Sequence, residues 1–215
     1  MRPAVYKQLL VVGVVVCLTL TVDDVQSDGS GSRSAHARHR LVDLTDEQKA
    51  VIVDYHNKLR RQEGSSNMEL MTWSEALANK ARLWAAKCVW EHGGEPLKAG
   101  ESGIDYGQNL AMNTFTELDL THGIQAWYDE KAGFDYATQR CDTSKVKMCG
   151  HYTQVVWATS RQVGCAYCRC ETMTQTDVNQ AAWYLVCNYL PAGNVNMPRK
   201  PYRNCLLYTS PSPRD

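Results

Sequence analysis

The 215-residue sequence predicts an α+β domain: three helices cover both faces of a small central antiparallel sheet, giving an α-β-α sandwich braced by disulfides. Three observations predict it. Apolar residues recur at helical spacing in three segments between Thr45 and Glu130. Short runs rich in Val, Tyr and Trp follow Gly150 and read as strands. Of nine cysteines, all but Cys17 lie beyond an N-terminal apolar segment. Helices and strands together in one short chain bury their apolar faces as stacked layers.

The chain opens with a basic stretch carrying Arg2 and Lys7, followed by an apolar run from Leu9 to Val22. That run is shorter than the roughly twenty residues a membrane span needs. Residues 1–27 therefore read as a secretory signal peptide cleaved after Ser27, with no transmembrane anchor. Residues 28–40 are Gly, Ser, Arg and His with almost nothing to bury, and read as a flexible leader. Arg38-His39-Arg40 reads as a solvated charge cluster rather than a processing site. The domain proper spans 41–205 and is expected to be a monomer. Residues 206–215 carry no packing pattern; this tail is expected to be unstructured, need not be a native end and is given no function.

Thr45-x-x-Gln48 predicts a capping box, and Val51, Ile52, Tyr55 and Leu59 the buried stripe of a first helix. Trp73 anchors the connector that follows. Ser74 caps a second helix with a stripe of Leu77, Ala81, Trp84 and Cys88, ending near Trp90 because His92-Gly93-Gly94 follows. A third helix runs from about Thr116, its face made by Leu120, Ile124, Trp127 and Tyr128. Gly123 inside it costs about 1 kcal/mol relative to Ala. Glu130 falls three residues after Trp127, near the same face. Gly150 to Trp157 alternates and predicts a strand with His151 at its rim. Gln162–Cys168 and Ala182–Tyr189 predict two more. His151 by itself reads either as a hydrogen-bonded, half-buried histidine without chemistry or as part of a polar site.

With 23 basic and 23 acidic residues the net charge is zero, so no global field draws nucleic acid or an anionic membrane. Eight cysteines remain after the signal peptide: Cys88, Cys141, Cys149, Cys165, Cys168, Cys170, Cys187 and Cys205. An even count in a secreted chain implies a disulfide framework, with about 105 formal pairings. Cys165-x-x-Cys168-x-Cys170 also has zinc-cluster spacing, a reading the oxidising compartment disfavours.

Gly150-His151-Tyr152-Thr153-Gln154-Val155-Val156-Trp157, with Ser160 beyond it, resembles the first signature of the CAP superfamily: cysteine-rich secretory proteins, venom antigen 5 proteins and plant pathogenesis-related proteins. Tyr184 to Val195 resembles the second signature, and Tyr55 to Arg60 the family's first helix. Asn109-Leu110-Ala111-Met112 resembles the Gly-Glu-Asn-Leu motif, with Gln108 where the family has glutamate. The resemblance covers 41–205 and is nearest in look to mollusc venom-type members.

The resemblance implies the same sandwich fold and several further expectations. Cys165 pairs with Cys187, Cys88 with Cys170 and Cys141 with Cys149, leaving Cys168 for Cys205. His92, Gln108, Glu130 and His151 form a cleft whose two histidines hold zinc or another divalent cation. Gln108 supplies only a neutral oxygen, so binding should be weaker than with two glutamates. The function implied is a secreted, extracellular binding protein of venom allergen-like or immune-modulating type. Its partner would be a sterol, a fatty acid or an extracellular protein. The alternative is an endoprotease-like protein with Glu130 and His151 as catalytic candidates. No Gly-x-Ser-x-Gly elbow and no His-Glu-x-x-His helix supports that alternative. Ser102 and Ser160 remain as conceivable nucleophiles.

Overall fold

The computed structural model describes residues 39–100, 103–195 and 199–204, so the expected signal peptide, most of the leader, Ser102, Cys205 and the tail lie outside the described residues. The chain enters through strand β1 (Arg40–Leu41) and turns into helix α1 (Asp46–Arg61). The predicted capping box is present: Thr45 Oγ1 accepts from Gln48 N, and Gln48 Oε1 accepts from Thr45 N at 2.9 Å. Strand β2 (Thr72–Trp73) and helix α2 (Glu75–Ala85), capped by Ser74, come next. Strand β3 (Gly107–Asn113) precedes helix α3 (His122–Asp129) and a 3₁₀ turn, Glu130–Gly133. A small hairpin of β4 (Phe134–Asp135) and β5 (Arg140–Cys141) leads to helix α4 (Gly150–Val155). The long strands β6 (Gln162–Cys170) and β7 (Ala182–Leu190) finish the sheet.

The sheet runs β1-β6-β7-β3, with β2 pairing β6 in parallel and the other pairs antiparallel. Period-two alternation sorts the side chains of its two long strands. Val163, Cys165, Tyr167, Leu185, Cys187 and Tyr189 face a core shared with α1, α3 and α4. Ala166, Cys168, Cys170, Ala182, Tyr184 and Val186 face the opposite core under α2, with Ala81 and Ala85. Helices therefore cover both faces, as expected. Cys165–Cys187 crosslinks directly opposed residues of β6 and β7, Cys88–Cys170 ties the segment after α2 to β6, and Cys141–Cys149 closes a local loop.

Four local expectations are corrected. Gly150–Val155 is helix, not strand. Val155, Val156 and Trp157 favour extended backbone, but Tyr152 to Ala158 is buried continuously, so no solvent face remains for alternation to select. The Glu130 carboxylate takes two N–H groups of this segment, and Thr153 Oγ1 donates back to Cys149 O at 3.1 Å. Tertiary partners thus override a short-range preference. Helix α2 stops at Ala85 because Cys88 turns to φ 51° on its way to the disulfide and Val89 bridges Thr174. Helix α3 starts at His122, where Asp119 Oδ1 accepts from Thr121 N and His122 N. Gly123 is there for proximity: a Cβ would stand 2.8 Å from Leu185 Cδ2 and 3.0 Å from Ala111 Cβ. The buried stripe of α1, finally, is Ile52, His56, Asn57, Leu59 and Arg60, and Val51 is exposed.

The polar members of that stripe are fully bonded. His56 Nδ1 donates to Ile52 O (2.8 Å) and its Nε2 accepts from Tyr189 Oη (3.0 Å), which fixes the neutral tautomer. Arg60, 0% exposed, reaches the carbonyls of Glu69, Val155, Trp157, Ala158 and Ser160. At the end of α1, the enclosed Glu63 carboxylate accepts from Tyr128 Oη, Tyr152 Oη, Tyr202 Oη and Lys131 Nζ, tying the segment around Tyr202 to α3 and α4.

Candidate functional site

Strand β3 is an edge strand, and its consecutive residues Gln108 and Asn109 project to opposite faces. Each reaches one of the expected histidines. On the α2 face, Gln108 Oε1 accepts from His92 Nδ1 and from Gly93 N, both at 3.1 Å. Its Nε2 donates to Gly93 O (2.9 Å) and to Asn188 Oδ1 (3.1 Å). Asn188 is oriented in turn because its Nδ2 donates to Leu77 O at 3.2 Å. Gly93 has no room for a side chain: a Cβ would lie 2.4 Å from the Trp84 ring. The loop is thereby pressed onto α2 with His92 at its exposed rim.

On the other face, Asn109 Nδ2 donates to His151 O at 3.0 Å. Glu130, at the end of α3, faces the first turn of α4. Its Oε1 accepts from His151 Nδ1 at 2.7 Å, and its Oε2 accepts from His151 N (3.0 Å) and Tyr152 N (3.1 Å). The Trp127 ring stacks against the imidazole with centroids 6.1 Å apart, and Trp127 Nε1 donates to Leu110 O of β3. The side chains of His151 and Glu130 are 16% and 15% exposed.

The structure thus brings His92 to Gln108 and His151 to Glu130, on either side of β3. Among the described residues, no trio of His, Cys, Asp or Glu ligand atoms within 4.8 Å includes any of these residues. The trio that does meet that distance is His39, Cys88 and Cys170, and two of its sulfurs are joined as a disulfide. They are not thiolates, so this is no metal site as it stands. Both site histidines face pure acceptors through Nδ1, which places the proton there and the lone pair on Nε2. Neither Nε2 has a partner among the described residues. This is the tautomer a metal-binding imidazole needs, with the outer acceptor fixing the ring.

Ser160 is buried, accepts from Gln154 Nε2 and donates to Pro191 O at 2.7 Å, with no imidazole beside it. Sequence reasoning missed Arg60 and Asn188. The available signal was a polar residue in register with an apolar stripe: Arg60 follows Ile52 by eight and His56 by four, and Asn188 interrupts the apolar run of β7.

Comparison with known proteins agrees with this architecture. The family model described as the cysteine-rich secretory protein family matches residues 53–189. The chain is 38% identical over 182 residues to cysteine-rich secretory protein LCCL domain-containing 2 of Homo sapiens, covering 79% of this chain and 35% of that protein. It is 40% identical over 153 residues to peptidase inhibitor 15 of Gallus gallus, covering 67% and 57%. The chain therefore spans between about a third and about three-fifths of the length of these relatives. Among solved structures, Schistosoma mansoni venom allergen-like protein 4 matches with TM-score 0.57 at 23% identity, over 74% of this chain and 96% of that one. NaASP2, solved with Zn2+, matches with TM-score 0.55 at 22% identity, over 75% and 87%. Both show the same fold.

Proposed function

The chain belongs to the cysteine-rich secretory protein family, and from that premise we propose that it is a secreted binding protein whose His92 and His151, one from each side of the edge strand β3, offer their Nε2 atoms to one divalent cation. The observation that carries this reading is the matched tautomer of the two rings, each with Nδ1–H spent on an acceptor and Nε2 free. Zinc accepts two imidazoles and keeps open positions for water or a ligand oxygen, supplying a fixed positive charge at the surface. Gln108 and Glu130 act here as positioning residues. Glu130 already receives His151 Nδ1 and two backbone N–H groups, so it orients the ring rather than ligating or accepting a substrate proton. That engagement also counts against a proteolytic role for the Glu130–His151 pair. NaASP2, which shares this fold, was solved with Zn2+, and that supports the choice of metal.

Calorimetric titration with Zn2+ tests the reading. One ion per chain is expected, lost in His92→Ala and in His151→Ala with the fold retained. Equal affinity in wild type and both variants would sink it. For the partner, an amphiphile such as a fatty acid or sterol is favoured over a protein target by a groove of about 460 Å³ between α1 and β2. Val53, Met71 and Trp73 are among its lining residues. Mass spectrometry of solvent extracts from the purified protein should find such a lipid, and no saturable binding of any sterol or fatty acid would shift the reading to protein recognition.

A further inference from the structure

Cys168 and Cys170 stand two residues apart on β6 and project to the same face, toward the segment after α2. Cys170 is bonded to Cys88 there. Cys168 is completely buried, and its Sγ lies 3.8 Å from Cys88 Sγ. The expected partner, Cys205, lies outside the described residues, and among those residues Cys168 is the free cysteine. His39 also stands beside the Cys88–Cys170 disulfide, with a ring nitrogen within 4.8 Å of both sulfurs and Nδ1 accepting from Glu171 N.

We propose that Cys168, Cys88 and Cys170 form an exchange triad, in which the crosslink between the α2 segment and β6 moves from Cys170 to Cys168 and leaves the free thiol at Cys170, close to His39. The Cys168 thiolate attacks Cys88 Sγ. The Cys88–Cys168 bond forms as Cys88–Cys170 breaks, and Cys170 leaves as a thiolate. The proton given up by Cys168 is balanced by one taken up at Cys170, so no oxidant or reductant is consumed. The packing sets the direction. Around Cys168 stand Ala81 and Ala85 from α2, Leu41 from β1 and Tyr184 from β7; only Tyr184 titrates, and burial holds it protonated. Burial pushes the Cys168 thiol up to about 11, so its thiolate is scarce and exchange is slow at neutral pH. A thiol at Cys170 has a ring nitrogen of the exposed His39 within 4.8 Å, a polar neighbour that Cys168 lacks.

The test is a disulfide map of the unreduced full chain. Protein is held under mildly alkaline conditions, quenched in acid, alkylated with N-ethylmaleimide while denatured, then cut after Arg169 and after Glu171, which separates Cys168, Cys170 and Cys187. Two crosslinked species are expected: Cys88–Cys170 with alkylated Cys168, and Cys88–Cys168 with alkylated Cys170, the second growing with time. Cys168→Ser should yield only the first crosslink and no alkylated Cys170. Cys170→Ser should fold with a Cys88–Cys168 bond. Label confined to Cys168 at all times, a Cys168 bonded to some other cysteine, or a free Cys88 in folded Cys170→Ser would each overturn the proposal.

Discussion

Arg60→Met should destabilise the protein by about 3–5 kcal/mol. The wild-type guanidinium is 0% exposed and makes six N–H···O contacts to five backbone carbonyls. Burial lowers its pKa to about 10, so it stays charged at neutral pH. Two effects oppose each other. Removing a buried ion recovers several kcal/mol of desolvation. It also strands five carbonyls, four of them in the turn from Val155 to Ser160, at about 1–3 kcal/mol for each one water cannot reach. The second effect wins because the carbonyls converge on one buried point and methionine offers no donor. For a domain of this size each kcal/mol is worth roughly 2–4 °C, so the melting temperature should fall by about 6–20 °C. Arg60→Lys should fall between, because an ammonium has three donors for five acceptors. Calorimetric melting and denaturant titration measure both. If Arg60→Met lies within about 1 kcal/mol of wild type, the carbonyls are satisfied without the guanidinium and the reasoning fails.

Three further outcomes are expected. Burial, opposed only in part by the Ile52 carbonyl, depresses His56 from 6.5 to about 4. Its stability contribution is therefore intact above the unfolded value and lost as pH falls from about 6.5 toward 4, up to roughly 3 kcal/mol. His56→Gln should flatten that slope in urea titrations run across the window, and an unchanged slope would refute it. Gln108→Glu should tighten zinc binding yet lower stability at neutral pH by about 1–3 kcal/mol, because a carboxylate would face Gly93 O and Asn188 Oδ1 where the amide now donates. A protonated glutamate can still donate one hydrogen bond, so its folded pKa is raised. The deficit should be smallest below the unfolded value of about 4.3 and grow as pH rises; a deficit independent of pH would refute this. Glu63→Ala should speed amide exchange selectively in residues 201–204 and cost about 2 kcal/mol, since Tyr202 loses its carboxylate anchor; unchanged exchange there would show that Tyr136 and Ala158 hold the segment alone.

Local rules determined what local interactions decide. Thr45 with Gln48, and Ser74, mark two helix starts because a side-chain oxygen three residues from an orphan N–H acts without tertiary help. The apolar runs after Gln162 and Ala182 are strands because β-branched, aromatic and cysteine side chains fill both faces of a sheet covered on both sides. The motif resemblance carried the three disulfide pairs, which spacing alone left open. Only the tertiary structure decided the rest. Gly150–Val155 became a helix because Glu130, distant in sequence, caps N–H groups that a strand would have needed a partner to satisfy. Arg60 went inside because carbonyls about a hundred residues away converge on it. The two histidines came to lie on either side of β3 because adjacent strand residues point to opposite faces, a placement invisible until the edge strand and its covering helices are fixed.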